Sequence, residues 1–147
     1  MRIIVDADAT PSLKEISLIA KNNNIECHMF CDYNHVIKDF DAKVHYISEG
    51  FQMVDISISN FLRKEDILIT QDYGLACIAL SKYAQAINPN GTIYTSSNID
   101  NLLEQRYLNI LNRKKKIHTK NMKKRTRKVN EQFLINLQKL IDFTKNS

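Results

Sequence analysis

Apolar and polar positions along this chain follow two rhythms, one of strands and one of helices. Residues 2–6 (RIIVD) form a short apolar run rich in β-branched side chains, the pattern of a buried strand. Thr10-Pro11 then reads as a helix start, because threonine caps free amides and proline suits the first helical position. Leu13, Ile16, Ile19 and Ala20 recur at helical spacing, and the run Asn22-Asn23-Asn24 ends the helix. Residues 25–31 (IECHMFC) alternate as a second strand, and 43–47 (KVHYI) predict a third. Over residues 53–62, the positions Met53, Val54, Ile56, Ile58, Phe61 and Leu62 fit a helix with a broad buried face. Residues 66–70 (DILIT) form a buried strand, followed over 72–83 by a helix with Leu75, Ile78, Ala79 and Leu80 inward. Two short strands, 84–87 and 92–95, flank the turn Asn88-Pro89-Asn90-Gly91. Asn98 is placed to cap a helix running from 99 to about 113. Helical periodicity returns over 129–143 through Phe133, Leu134, Leu137, Leu140 and Ile141.

Strands alternating with helices predict an α/β fold with a mostly parallel sheet covered on both faces. The expected division is an α/β domain over residues 1–112, a basic linker or loop over 113–128, and a C-terminal helix over 129–147 packing on the same domain. The chain has 147 residues, 44% of them hydrophobic, which is enough for one packed core and too much for a disordered chain. No apolar run reaches the ~18 residues of a membrane span, and the first apolar stretch falls short of the ~7–15 of a signal peptide. Three cysteines without an export signal then lead to the expectation of reduced thiols in a cytoplasmic protein.

Charge changes the picture. Residues 1–105 carry 8 Lys and Arg against 14 Asp and Glu, a net of −6; residues 106–147 carry 13 against 2, a net of +11. An acidic body with a basic tail points to a polyanionic partner, most often nucleic acid, while a solvated connector explains the same composition more simply. The basic residues concentrate at Arg113, Lys114, Lys115 and Lys116 and again at Lys123, Lys124, Arg125, Arg127 and Lys128. No aromatic residue interrupts them, so contact would be with the phosphate backbone, without base stacking or sequence selection.

In a parallel sheet, functional groups gather beyond the carboxyl ends of the strands. Asp6 and Asp8 stand at that end of the first strand, and Asp72 stands just past the strand 66–70. If those strands are neighbours, three carboxylates share one edge, and Asp55, near the start of the preceding helix, is placed to join them. Aspartates after strands also cap the next helix, as Asp72 is placed to do. Two like charges two residues apart beside a core are nonetheless costly unless something uses them. A divalent cation with oxygen ligands is the usual counter-charge.

The stretch VDADATP (residues 5–11) resembles the opening VDADACP-type motif of the YaiI/YqxD family, also called UPF0178 or DUF188. GFQMVDISI (50–58), DILITQDYGLA (66–76) and AINPNGTIYTSSNI (86–99) resemble it too, in the right order and over nearly the whole chain. The resemblance implies a PIN-like three-layer fold, whose relatives include metal-dependent RNA nucleases, and it gives a fold more firmly than a reaction. Carried over position by position, it makes Asp6, Asp8, Asp55 and Asp72 the metal-holding and catalytic acids. Thr70, Gln71 and Asn98 are candidates for hydrogen-bonding support behind them. Two positions depart from the family pattern. Thr10 stands where relatives often have cysteine, which argues against thiol chemistry there. Gln52 stands where many have an acid, which removes one negative charge.

The expected function is that of a nuclease-like protein acting on RNA or another nucleic acid by water activated on Mg²⁺ or Mn²⁺. The alternative is a non-catalytic nucleic-acid-binding or interaction module that keeps the fold; a small-molecule phosphatase on the same carboxylates is a third possibility. Cys27, His28, Cys31 and His35 lack the spacing of paired zinc ligands, and Cys27, Met29 and Cys31 share one strand face as buried core. Cys77 lies on a helical apolar face and reads as core. No glycine-rich phosphate loop is present, which disfavours nucleotide hydrolysis of the P-loop class.

Overall fold

The computed structural model describes residues 1–32, 41–48, 50, 52–114 and 126–147. The strands are β1 (Arg2–Asp6), β2 (Glu26–Asp32), β3 (Lys43–Ile47), β4 (Ile67–Ile69), β5 (Gln85–Ile87) and β6 (Ile93–Tyr94). The helices are α1 (Leu13–Asn22), α2 (Met53–Phe61), α3 (Tyr73–Ser81), α4 (Ile99–Lys114) and α5 (Arg127–Lys145). The strands form one sheet in the order β3-β2-β1-β4-β5-β6, parallel except for β6. This is the three-layer α/β architecture of the PIN-like kind. Among the described residues, no helix is long and apolar enough to cross a membrane.

Strand parity sorts the core into two layers. Ile3 and Val5 of β1, with Cys27, Met29 and Cys31 of β2, pack against Ile16 and Ala20 of α1 and against Phe133, Leu137, Leu140 and Ile141 of α5. Ile4, Phe30, Leu68 and Ala86 face the other way, onto α2, α3 and the start of α4. The same parity separates the two buried thiols from His28, which bonds His45 at 2.9 Å and Glu26 at 3.0 Å and packs against Phe61.

Two helix starts and one buried face differ from the sequence expectation. Residues 7–9 form a 3₁₀ turn, and α1 starts at Leu13 rather than at Thr10-Pro11. The reason is local: the Thr10 hydroxyl donates to the Asp6 carbonyl at 2.7 Å and so closes the turn instead of capping the helix. Helix α5 begins at Arg127, capped by Thr126, whose hydroxyl accepts from the Val129 amide at 3.1 Å. The buried face of α2 is narrower than its periodicity suggests: Ile58 and Leu62 are buried, but Met53 and Ile56 are exposed.

The sheet is pinned at its opposite end by a buried ion pair. Arg2 Nε and Nη2 donate to Asp66 Oδ1 and Oδ2 at 3.0 and 2.6 Å, Nη2 also reaches the Phe61 carbonyl at 2.8 Å, and the guanidinium lies 4.1 Å over the Phe61 ring. Removing one partner strands the other in the core, which costs about 3–5 kcal/mol. Urea unfolding of Asp66→Ala should show a loss of that size, and the double variant Arg2→Met/Asp66→Leu should recover most of it. A single-variant loss below about 1 kcal/mol would contradict the buried-pair assignment.

Candidate functional site

The site lies where the strand order reverses, at the carboxyl edge shared by β1 and β4. These strands pair in parallel with Val5 opposite Ile69, so Asp6 and Thr70 leave the sheet side by side. Asp6 has the parity of Ile4 and therefore belongs to the layer of α2 and α3. It is only 8% exposed. Thr70 Oγ1 donates to Asp6 Oδ2 at 3.0 Å and accepts from the Asp72 amide at 3.0 Å. That amide fixes the direction of the hydroxyl proton, which leaves it for Asp6. The Thr70 carbonyl accepts from the Tyr94 hydroxyl at 3.1 Å, and Tyr94 is bonded in turn by Asn88 Nδ2 at 2.8 Å. The strand end carrying Thr70 is thereby held rigid.

Asp72 is both the N-cap of α3 and a member of the site. Its Oδ1 accepts from the Leu75 amide at 3.1 Å, which fixes the carboxylate in place. Asp55, in the first turn of α2, shares a hydrogen bond with it. Burial raises the Asp55 pKa above the usual carboxylate range, and the Asp72 charge and the shared bond raise it further. Burial also pushes Asp6 up, to about 6, against the lowering effect of the Thr70 hydroxyl and with the help of Asp55, Asp8 and Asp72. Among the described residues no lysine or arginine forms an ion pair with Asp6, Asp55 or Asp72.

Asp8 lies on the 3₁₀ turn, where its Oδ2 accepts from the Asp32 amide at 3.1 Å. Gln71 Nε2 donates to the Ala9 carbonyl and ties the segment after β4 to that turn. Asn98 is not brought to the acids; its side chain bonds the Ile93 carbonyl and the Thr95 amide. One residue missed in the sequence, Asp32, lines the site, and Gln52, noted there only as a departure from the family pattern, lines it too. Asp32, at the carboxyl end of β2, and Gln52, at the start of α2, line a well of about 320 Å³ together with Asp6, Asp8 and Asp55. Asp32 was accessible to the same strand-end rule that selects Asp6.

The donor set suits a hard cation in kind, being made of carboxylate oxygens. Among the described residues, no three carboxylate, histidine or cysteine side chains close on one point as a ready-made ligand cage. An ion that keeps most of its waters and takes one or two carboxylates, as Mg²⁺ does, would need no such cage. Asp55 with Asp72 is the pair already within contact distance.

The basic residues fall partly among the described residues. Arg113 and Lys114 end α4. Arg127 and Lys128 are exposed in the first turn of α5, where positive charge opposes the helix dipole, and Arg127 pairs with Glu131 at 3.1 Å. Ser12 Oγ donates to Asn130 Oδ1, which holds this turn beside the loop that follows Asp8. Lys115, Lys116, Lys123, Lys124 and Arg125 lie outside the described residues.

The PIN-like sheet gives the fold class, and sequence comparison supplies the family. The model of the DUF188 family, described as an uncharacterized YaiI/YqxD family, matches residues 4–143. A UPF0178 protein of Clostridium novyi is 44% identical over 145 residues, covering 99% of this chain and 97% of that protein. One from Clostridium tetani is 44% identical over 141 residues, and one from Lachnoclostridium phytofermentans is 40% identical over 129. The chain belongs to the YaiI/YqxD (UPF0178, DUF188) family. No solved structure matches it.

A carboxyl group with a raised folded-state pKa binds its proton more tightly folded than unfolded. The resulting stability is full below the unfolded value near 3.8 and is lost as pH rises through about 6. The shift of Asp6 corresponds to roughly 3 kcal/mol. In metal-free buffer the chain should therefore weaken between pH 4 and pH 7, and Asp6→Asn, which keeps an acceptor for Thr70, should flatten that slope. Denaturant midpoints across the range measure it; an unchanged slope in Asp6→Asn would refute the assignment to Asp6.

Proposed function

We propose that this protein is a divalent-metal-dependent nuclease-like enzyme of the cytoplasm that acts on RNA or another nucleic acid. The observation that carries the reading is that Asp6, Asp55 and Asp72 gather at one edge with no lysine or arginine paired to them among the described residues, burial and neighbouring acids raising the pKa of Asp6 and of Asp55. Such a site is electrostatically incomplete. Asp55 and Asp72 would hold the ion, and Asp55 also lines the well that contains Asp6 and Asp8. Mg²⁺ or Mn²⁺, when bound, offsets phosphate charge and makes water a nucleophile at neutral pH. The protein's own part is to fix these acids. Thr70 orients Asp6, and the helix cap orients Asp72. The basic residues ahead of and within the first turn of α5 would bring the polyanion to an edge that otherwise repels it. The Ser12–Asn130 bond ties the first turn of α5 to the loop that follows Asp8.

A second reading, a nucleic-acid-binding module without chemistry, is favoured by the absence of a three-ligand cage among the described residues. Metal response separates the two. Mn²⁺ at about 100 times its Kd should stabilise the chain by about 2.7 kcal/mol, or roughly 5–10 °C in Tm for a chain of this size. Asp55→Asn/Asp72→Asn should abolish that shift together with Mn²⁺-dependent cleavage of single-stranded RNA. Salt-sensitive RNA binding with no metal response and no cleavage would establish the second reading.

A further inference from the structure

Periodicity assigns Ile56 and Ile78 to the core, yet they stand 50% and 38% exposed. Both line a single groove between α2 and α3, about 320 Å³ in volume. Leu75 completes its apolar wall, and Ser59 and Asn60 add a hydroxyl and an amide. The groove adjoins the acid well, because Gln52 and Asp55 line both. At Gly74, a Cβ would lie 3.2 Å from Asp72 Oδ1, so glycine keeps both the carboxylate seat and the groove beside it open. No cationic side chain among the described residues lines the groove.

These features divide the site by chemistry. The well is acidic and suits a cation with a phosphodiester. The groove carries Asp55 and Asp72 beside the well, and its remaining lining is the apolar Ile56, Leu75 and Ile78 with the hydrogen-bonding Ser59 and Asn60, which suits a flat heteroaromatic ring and not a phosphate. On the reading that the well holds a divalent ion and a phosphodiester, we infer that the groove is a nucleobase subsite, seating the base of the nucleotide whose phosphate lies in the well. Ile56, Leu75 and Ile78 pack against the ring, and the Asn60 amide, with both donor and acceptor atoms, meets its polar edge. A base stacked and paired in a duplex cannot enter, so the substrate class is single-stranded nucleic acid. No aromatic residue lines the groove, so base contact here is aliphatic packing rather than stacking.

The test is a ¹H–¹⁵N NMR titration of the full chain in saturating Mg²⁺ with nucleoside 5′-monophosphates, and separately with ribose 5-phosphate. The nucleotides should shift the amides of Ile56, Ser59, Asn60 and Ile78, while ribose 5-phosphate leaves them in place. Ile56→Ala/Ile78→Ala, which trims two exposed side chains and so spares the core, should weaken nucleotide binding about tenfold. Identical shifts from both ligands, confined to the well, would overturn the base subsite and leave the carboxylate reading intact. Groove shifts in a protein whose Asp55 and Asp72 ignore Mg²⁺ would support the subsite and overturn the metal reading.

Discussion

The structure turns on one unfavourable placement, a carboxylate at the inward-facing end of a central parallel strand. Strand parity puts Asp6 on the same face as Ile4, under α2 and α3, where water is scarce. The neighbouring strand answers with a neutral group: the Thr70 hydroxyl stabilises the carboxylate but does not cancel its charge. The remaining acids approach from the 3₁₀ turn, from α2 and from the cap of α3, and each adds repulsion. A fold selected for stability alone would replace such a group with an apolar residue or pair it, as the chain does with Arg2 and Asp66 at the other end of the sheet. The contrast between the two ends is the physical case for a site.

The two halves of the chain also complement each other. An acidic body repels nucleic acid at long range, and the excess positive charge after residue 105 reverses that. The basic first turn of α5 gains nothing from its own helix dipole, yet it is fastened beside the acidic turn through Ser12 and Asn130. On the proposed function, attraction and chemistry would be separate tasks of separate segments, and only the first should weaken steeply with added salt.

Much of this was legible in the sequence. Buried runs such as DILIT and the helix of Phe133, Leu137 and Leu140 carry strong periodic signals, and the strand-end rule selects Asp6, Asp8 and Asp72 before any coordinates. What stayed hidden depends on tertiary neighbours. Thr10 looks like a helix cap until the Asp6 carbonyl takes its hydroxyl. Ile56 and Ile78 fit the helical period, but two helices that diverge around a groove leave both uncovered. Asn98 has the residue type of a hydrogen-bonding support behind the acids, while its bonds serve the loop after β6. The pairing of Asp55 with Asp72 likewise follows from helix placement, which composition does not encode.

The most direct test of the central claim is the titration of the Asp6 carboxyl carbon, followed by ¹³C NMR without metal and again in saturating Mg²⁺. The account predicts an apparent pKa of about 6 in the first case and a marked fall in the second, as the ion takes over the role of the proton. A carboxyl that titrates near the ordinary value of 3.8 and ignores Mg²⁺ would contradict it.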